Sequence, residues 1–106
     1  MASSREFAEY AADQLSGAGE IGLRKMFGEY GLYLNGKYFA AVCDDRLLVK
    51  VTAPGQALFA QPVLEAPYPG GSAMLLVEEL EDRDFLARLA LTTCAALPEP
   101  KRKKKN

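Results

Sequence analysis

Asn35-Gly36, set between two runs in which apolar and polar residues alternate, constrains the fold of this chain more than any other pair. Both central residues of a type I′ turn need a positive φ, which asparagine and glycine tolerate, so the flanking strands must fold back on each other as a tight hairpin. The spacing predicts strands near 29 to 34 and 37 to 43. Asp44-Asp45 supplies a second reversal, after which the chain returns through Arg46 to Val51, with Leu47, Val49 and Val51 alternating with Leu48 and Lys50. Period two begins at Leu23, which makes Met26 to Tyr30 a further strand or an extended lead-in. Gly28 and Gly31 mark a bulge or a tight bend there, because glycine inside a regular strand only weakens it.

Helices flank this meander. Ser3 with Glu6 fits a capping box, and Phe7, Ala8, Ala11 and Leu15 then fall on one helical face, with Tyr10 at its edge and Arg5, Glu6, Glu9 and Asp13 opposite. Gly17-Ala18-Gly19 ends that helix. Beyond the meander, Thr52 caps a short helix that Pro62 stops by Gln61, although Gly55 disfavours its interior. The stretch from Pro62 to Ser72 is a loop, since it holds Pro62, Pro67, Pro69 and Gly70-Gly71, and Met74-Leu75-Leu76-Val77 is a further buried strand. Asp82 caps a last helix that runs to about Ala96, where Pro98-Glu99-Pro100 halts it. Its expected core stripe is Phe85, Leu86, Leu89, Thr93, Ala96 and Leu97.

A chain of 106 residues, 49% hydrophobic and 25% charged, has the size and composition of one globular domain. We assign residues 1–97 to that domain and residues 98–106 to a disordered basic tail. The formal net charge of −1 conceals an asymmetry, because five of the 13 cations are Lys101, Arg102, Lys103, Lys104 and Lys105. Residues 1–100 keep eight cations against 14 carboxylates, a balance of −6. Such a body repels phosphate at long range, so nucleic-acid affinity must come from the tail or from a local patch. With no histidine and only Cys43 and Cys94, fifty residues apart, the sequence offers neither a metal site nor a cofactor motif. No signal-peptide pattern and no apolar run near 18 residues is present, so a soluble, cytoplasmic protein is expected, with no membrane partner.

The stretch Arg24-Lys25-Met26-Phe27-Gly28-Glu29-Tyr30-Gly31-Leu32-Tyr33 resembles the amino-terminal domain of the TfoX/Sxy family. Asp44-Asp45-Arg46-Leu47-Leu48-Val49-Lys50-Val51 looks like a second block of that family, and Pro67-Tyr68-Pro69-Gly70-Gly71 followed by Met74-Leu75-Leu76-Val77 looks like a third. Together they span most of residues 3 to 97. The resemblance implies an α+β fold in two layers: an antiparallel sheet of about five strands with helices on one face, in the order α-β-β-β-β-α-β-α, similar to secretion chaperones. Two-domain members of the family regulate natural competence, promoting transcription with an activator of the cyclic-AMP receptor type, and carry a separate helical carboxy-terminal domain. This chain ends after the first domain, which groups it with stand-alone members of generally unassigned role.

Arg24, Lys25, Glu29, Tyr30, Lys50 and Tyr68 form the candidate interaction surface. The basic and aromatic grouping around Arg24 to Tyr30 could take a peptide or a phosphate, but alternation also fits a core of aromatic residues beneath a solvated charged face. Lys50 points away from Val49 and Val51, either pairing with Glu29 or standing in solvent. Tyr68, held between prolines in a long loop, either covers a pocket or packs over the core edge. Asp44 and Asp45 are turn formers with no nucleophile or base beside them. Ala87, Leu91 and Cys94 lie beyond the core stripe of the last helix, which is apolar nearly all round. They are the candidate contact of a homodimer, against the alternative that scattered exposed apolar residues are ordinary. Lys101, Arg102, Lys103, Lys104 and Lys105 are dense enough to bind nucleic acid, although such runs also simply solubilise a terminus. The favoured function is a non-enzymatic regulatory or protein-interaction module with a protein partner of unknown identity. A nucleic-acid-associated regulator using the tail is the alternative, and an unrecognised enzyme stands behind both.

Overall fold

The hairpin signals become strand registers in the computed structural model, which describes residues 5–26, 29–66 and 70–97. Helix α1 (Arg5–Leu15) leads through a 3-10 turn at Ser16–Ala18 into four antiparallel strands: β1 (Ile21–Met26), β2 (Glu29–Leu34), β3 (Lys37–Cys43) and β4 (Arg46–Val49). A four-residue helix α2 (Ala53–Gln56), strands β5 (Leu64–Glu65) and β6 (Met74–Val77) and helix α3 (Arg83–Ala96) complete the chain. The sheet order is β1-β2-β3-β4-β6-β5, antiparallel throughout. The architecture is α+β, as expected from the resemblance, with six strands where about five were expected.

Both predicted turns form. Asn35 and Gly36 have φ of 51° and 90°, and Asp44 and Asp45 have φ of 54° and 55°, so each two-residue reversal uses left-handed backbone that matches the twist of the strands it joins. The first strand starts earlier than its alternation suggested, at Ile21, and pairs Met26 with Glu29. The irregularity assigned to Gly31 lies elsewhere. Gly31 pairs normally with Arg24 and Ala41, whereas the register shifts between Leu32 and Tyr33, whose partners Ala40 and Tyr38 leave Phe39 as the extra residue. A bulge there sends Phe39 as well as Ala40 into the core. Gly28 and the Ser3 cap lie outside the described residues.

Alternation sorts the strands into two faces. Tyr30, Leu32, Leu34, Ala40, Val42, Leu47, Val49, Leu75 and Val77 join Ala8, Ala11 and Leu15 of α1 and Leu86, Leu89, Ala90 and Cys94 of α3 in one cluster. The opposite face holds a second cluster of Ala41, Cys43, Leu48 and Met74, with Leu76 against it and no helical residue of the described set. All three helices therefore serve the first face.

Three expectations are corrected. The short helix stops at Gln56 rather than near Gln61, continuing only as turns to Phe59. Gly55 is buried where α2 meets α3: a Cβ there would lie 2.8 Å from Thr52 Oγ1 and 2.9 Å from Thr93 Oγ1. The segment from Pro62 to Ser72 is not wholly loop. After Pro62, Val63 accepts from the Leu76 amide at 2.8 Å while Leu64 and Glu65 pair with Leu75 and Met74. The core stripe of α3 is turned toward Ala90 and Cys94, leaving Ala96 exposed. The helix leans on the 3-10 turn, where Gly17 would place a Cβ 3.5 Å from that of Ala87. Asp82 caps it as expected, accepting from the Phe85 amide at 3.1 Å.

Candidate functional site

On the helix side, two cations distant in sequence close the carboxyl ends of the two long helices. Lys37 Nζ donates to the Cys94 carbonyl at 2.8 Å and the Leu97 carbonyl at 3.2 Å. The bulge at Phe39 makes this reach geometrically available, since it shifts the alternation so that Lys37 as well as Ala40 faces the helices. Arg83 does the same for α1, its Nη2 donating to the Asp13 carbonyl at 3.2 Å and its Nη1 to Gln14 Oε1 at 2.6 Å, while Gln14 Nε2 donates to the Leu80 carbonyl at 2.7 Å. Neither helix has a basic residue in its own last turn, so these distant cations supply the charge that its dipole favours. Sequence reading missed both, because no local pattern announces a cap delivered from fifty or more residues away.

The side of the sheet without helices carries two paired tyrosines. Tyr33 of β2 and Tyr38 of β3 are register partners with ring centroids 5.3 Å apart, and Lys50 Nζ stands 4.7 Å over the Tyr38 ring. Arg24 shares this face at the β1 edge. Toward the other edge, Arg46 of β4 pairs with Glu65 of β5. Because β6 lies between those strands, the arginine side chain crosses over it. That crossing helps to cover the cluster of Ala41, Cys43 and Leu48, and it leaves Arg46 Nε buried without a partner.

The candidate residues separate on this framework. Arg24 and Lys25 are exposed and adjacent on β1, and Glu29 is half-buried on β2. Tyr30 faces the helices at 6% exposure, as a core aromatic rather than a surface one. Lys50 sits on the helix-free face over Tyr38, not paired with Glu29. Of the candidate dimer residues, Leu91 is 50% exposed, Ala87 is half-buried beside Gly17, and Cys94 belongs to the core. Tyr68 and the tail from Lys101 to Lys105 lie outside the described residues.

Chemically reactive groups are sparse. Burial pushes the Cys43 thiol up to about 12, and Glu29 beside it adds to the rise, so this sulfur stays protonated at neutral pH. Burial likewise raises the Cys94 thiol, against the opposing charge of Lys37. Among the described residues no group of three or more cysteine, aspartate or glutamate side chains converges to hold a metal ion. No helix among them is long and apolar enough to cross a membrane.

With this architecture in place, comparison with known proteins gives a direct match to the TfoX N-terminal domain over residues 13–96. The chain belongs to the TfoX N-terminal domain family. The match takes in the whole sheet and all of α3. A curated relative, the uncharacterized 12.7 kDa protein in the trpE 5′ region of Spirochaeta aurantia, is 34% identical over 105 residues, which is 98% of this chain and 91% of the relative. The TfoX N-terminal match thus agrees with the blocks from Arg24 to Tyr33, Asp44 to Val51 and Met74 to Val77, whose described residues lie in β1, β2, β4 and β6 and in the turn before β4, with Lys50 and Val51 just beyond it.

Proposed function

We propose that this TfoX N-terminal domain is a non-enzymatic regulatory module that works by binding another protein, and that the helix-free side of its sheet is the binding side. The observation that carries the reading is the segregation of the fold. Helices occupy one face, while Tyr33, Tyr38, Lys50 and Arg24 lie together on the other. Aromatic and arginine side chains are the residue types that anchor protein interfaces. Family membership supports a regulatory role of the kind associated with competence. The protonated, buried cysteines give no activated nucleophile.

Transcript profiles of a strain lacking the gene test this reading. Complementation with the native chain should restore the profile, and complementation with Tyr33→Ser/Lys50→Ala should not, with the purified variant keeping the thermal midpoint of the native chain. A profile that does not change on deletion contradicts a regulatory role.

The run Lys101 to Lys105 favours a second reading, in which the tail contacts nucleic acid. Fluorescence anisotropy of labelled duplex DNA with the full chain and with a version cut after Leu97 should then show binding that disappears with the tail and weakens steeply with salt. Self-association through α3 is the remaining proposal, resting on the half-exposed Leu91. Leu91→Lys should lower the mass seen by light scattering if a dimer forms there.

A further inference from the structure

The sheet has two edges, and they differ in what they can accept. Strand β5 is two residues long and follows Pro62, too short to template another strand. Strand β1 is six residues long, pairs with β2 on one side, and has no strand on the other among the described residues. Its outward amides and carbonyls can continue the ladder into an added strand.

Three features of β1 define the added strand. Arg24 and Lys25 are exposed and make no ion pair among the described residues. Arg24 is opposite Gly31 and Lys25 opposite Tyr30, so the two cations project to opposite faces. Two adjacent carboxylates on an incoming strand would reach one cation each. Gly22, opposite Tyr33, is the third feature. A Cβ at that position would meet Tyr33 Cβ only at 3.7 Å, so ordinary packing does not require glycine there, and its missing side chain leaves a notch beside the tyrosine. An apolar side chain from the added strand fits that notch.

We propose that β1 is a docking edge for an extended acidic segment of a partner protein. Read antiparallel to β1, the segment has two adjacent acidic residues, any residue, and then an apolar one. This deepens the protein-binding reading above and rests on it. It also gives Arg24 and Lys25 a role beyond guarding an edge against aggregation, the ordinary use of cations in that position.

The probe is a fluorescein-labelled octapeptide containing glutamate, glutamate, threonine and leucine in that order, flanked by threonine and valine. Two controls accompany it: the same peptide with lysine for glutamate, and the same peptide with alternate backbone nitrogens methylated, which keeps the charge and removes the ladder donors. Anisotropy with the full chain at 0.15 M salt should give at least tenfold tighter binding of the acidic peptide than of either control. R24S/K25S should weaken that binding at least tenfold while its thermal midpoint stays that of the native chain. Equal binding of the methylated peptide, absence of binding, or undiminished binding by R24S/K25S overturns the proposal. So does an R24S/K25S variant that self-associates when the native chain binds no acidic peptide, because the cations then only guard the edge. Such a failure alongside a transcript profile that still depends on Tyr33 and Lys50 would remove the β1 edge and leave the helix-free face as the binding side.

Discussion

On the helix side of the sheet Phe39, Leu47 and Leu75 are sealed beneath helices, whereas on the opposite side Ala41, Cys43 and Leu48 are just as inaccessible with no helical residue in their cluster. The means differ. One face buries large side chains from strands and helices together. The other sets small residues, Ala41 and Cys43, into the pleat, where little cover is needed, and Arg46 reaching Glu65 supplies part of it. Stability therefore comes mainly from the first face, and the second keeps a thin, polar and aromatic surface, the one proposed above to bind a partner.

Truncations on the two faces put this difference to the test. Phe39→Ala removes a fully buried aromatic at the bulge and should cost about 3 to 5 kcal/mol in urea denaturation. Leu48→Ala, equally inaccessible but on the thin face, should lie near the lower limit for such changes, about 2 kcal/mol. A larger loss from Leu48 than from Phe39 would reverse the comparison. Gly55→Ala sharpens it by forcing a methyl against Thr52 and Thr93 where α2 meets α3, with an expected cost of about 1 to 3 kcal/mol and no effect on the helix-free face. Lys37→Met removes the cap on α3 and should cost about 1 kcal/mol, visible as faster amide exchange in the last turn of that helix.

A further effect is alkaline. The folded Cys43 thiol is raised, so its contribution is fully present below the pKa of the unfolded thiol, near 9, and is lost as pH rises toward about 12. Thermal midpoints at pH 8 and pH 10.5 should differ less for Cys43→Ala than for the native chain.

Much of this fold was legible because its determinants are local. Asn35-Gly36 and Asp44-Asp45 set two registers, Asp82 set the start of α3, and alternation set the inward residues of β2 and β4. What escaped depends on contacts between distant segments. The bulge is decided by Phe39 finding the core, the need for glycine at position 55 by its close approach to Thr93, and β5 by the availability of β6 as a partner. The candidate surface divided the same way. The exposure of Arg24 and Lys25 follows from their place on one strand, while the position of Lys50 over Tyr38 requires two strands to be brought side by side. Cys94 joins the core because α3 packs against the 3-10 turn, a contact with a distant segment that the periodicity of the helix does not encode.

Photo-crosslinking in cells, with the reactive residue placed in turn at positions 24, 33 and 50 and at positions 10, 88 and 91, tests the division of labour between the faces most directly. The first set samples the helix-free side and its β1 edge, and the second samples the helices. Discrete adducts to a protein partner from the first set, competed by the unlabelled native chain and absent from the second, are the predicted result. Adducts confined to positions 10, 88 and 91 would place recognition on the helices and contradict the account.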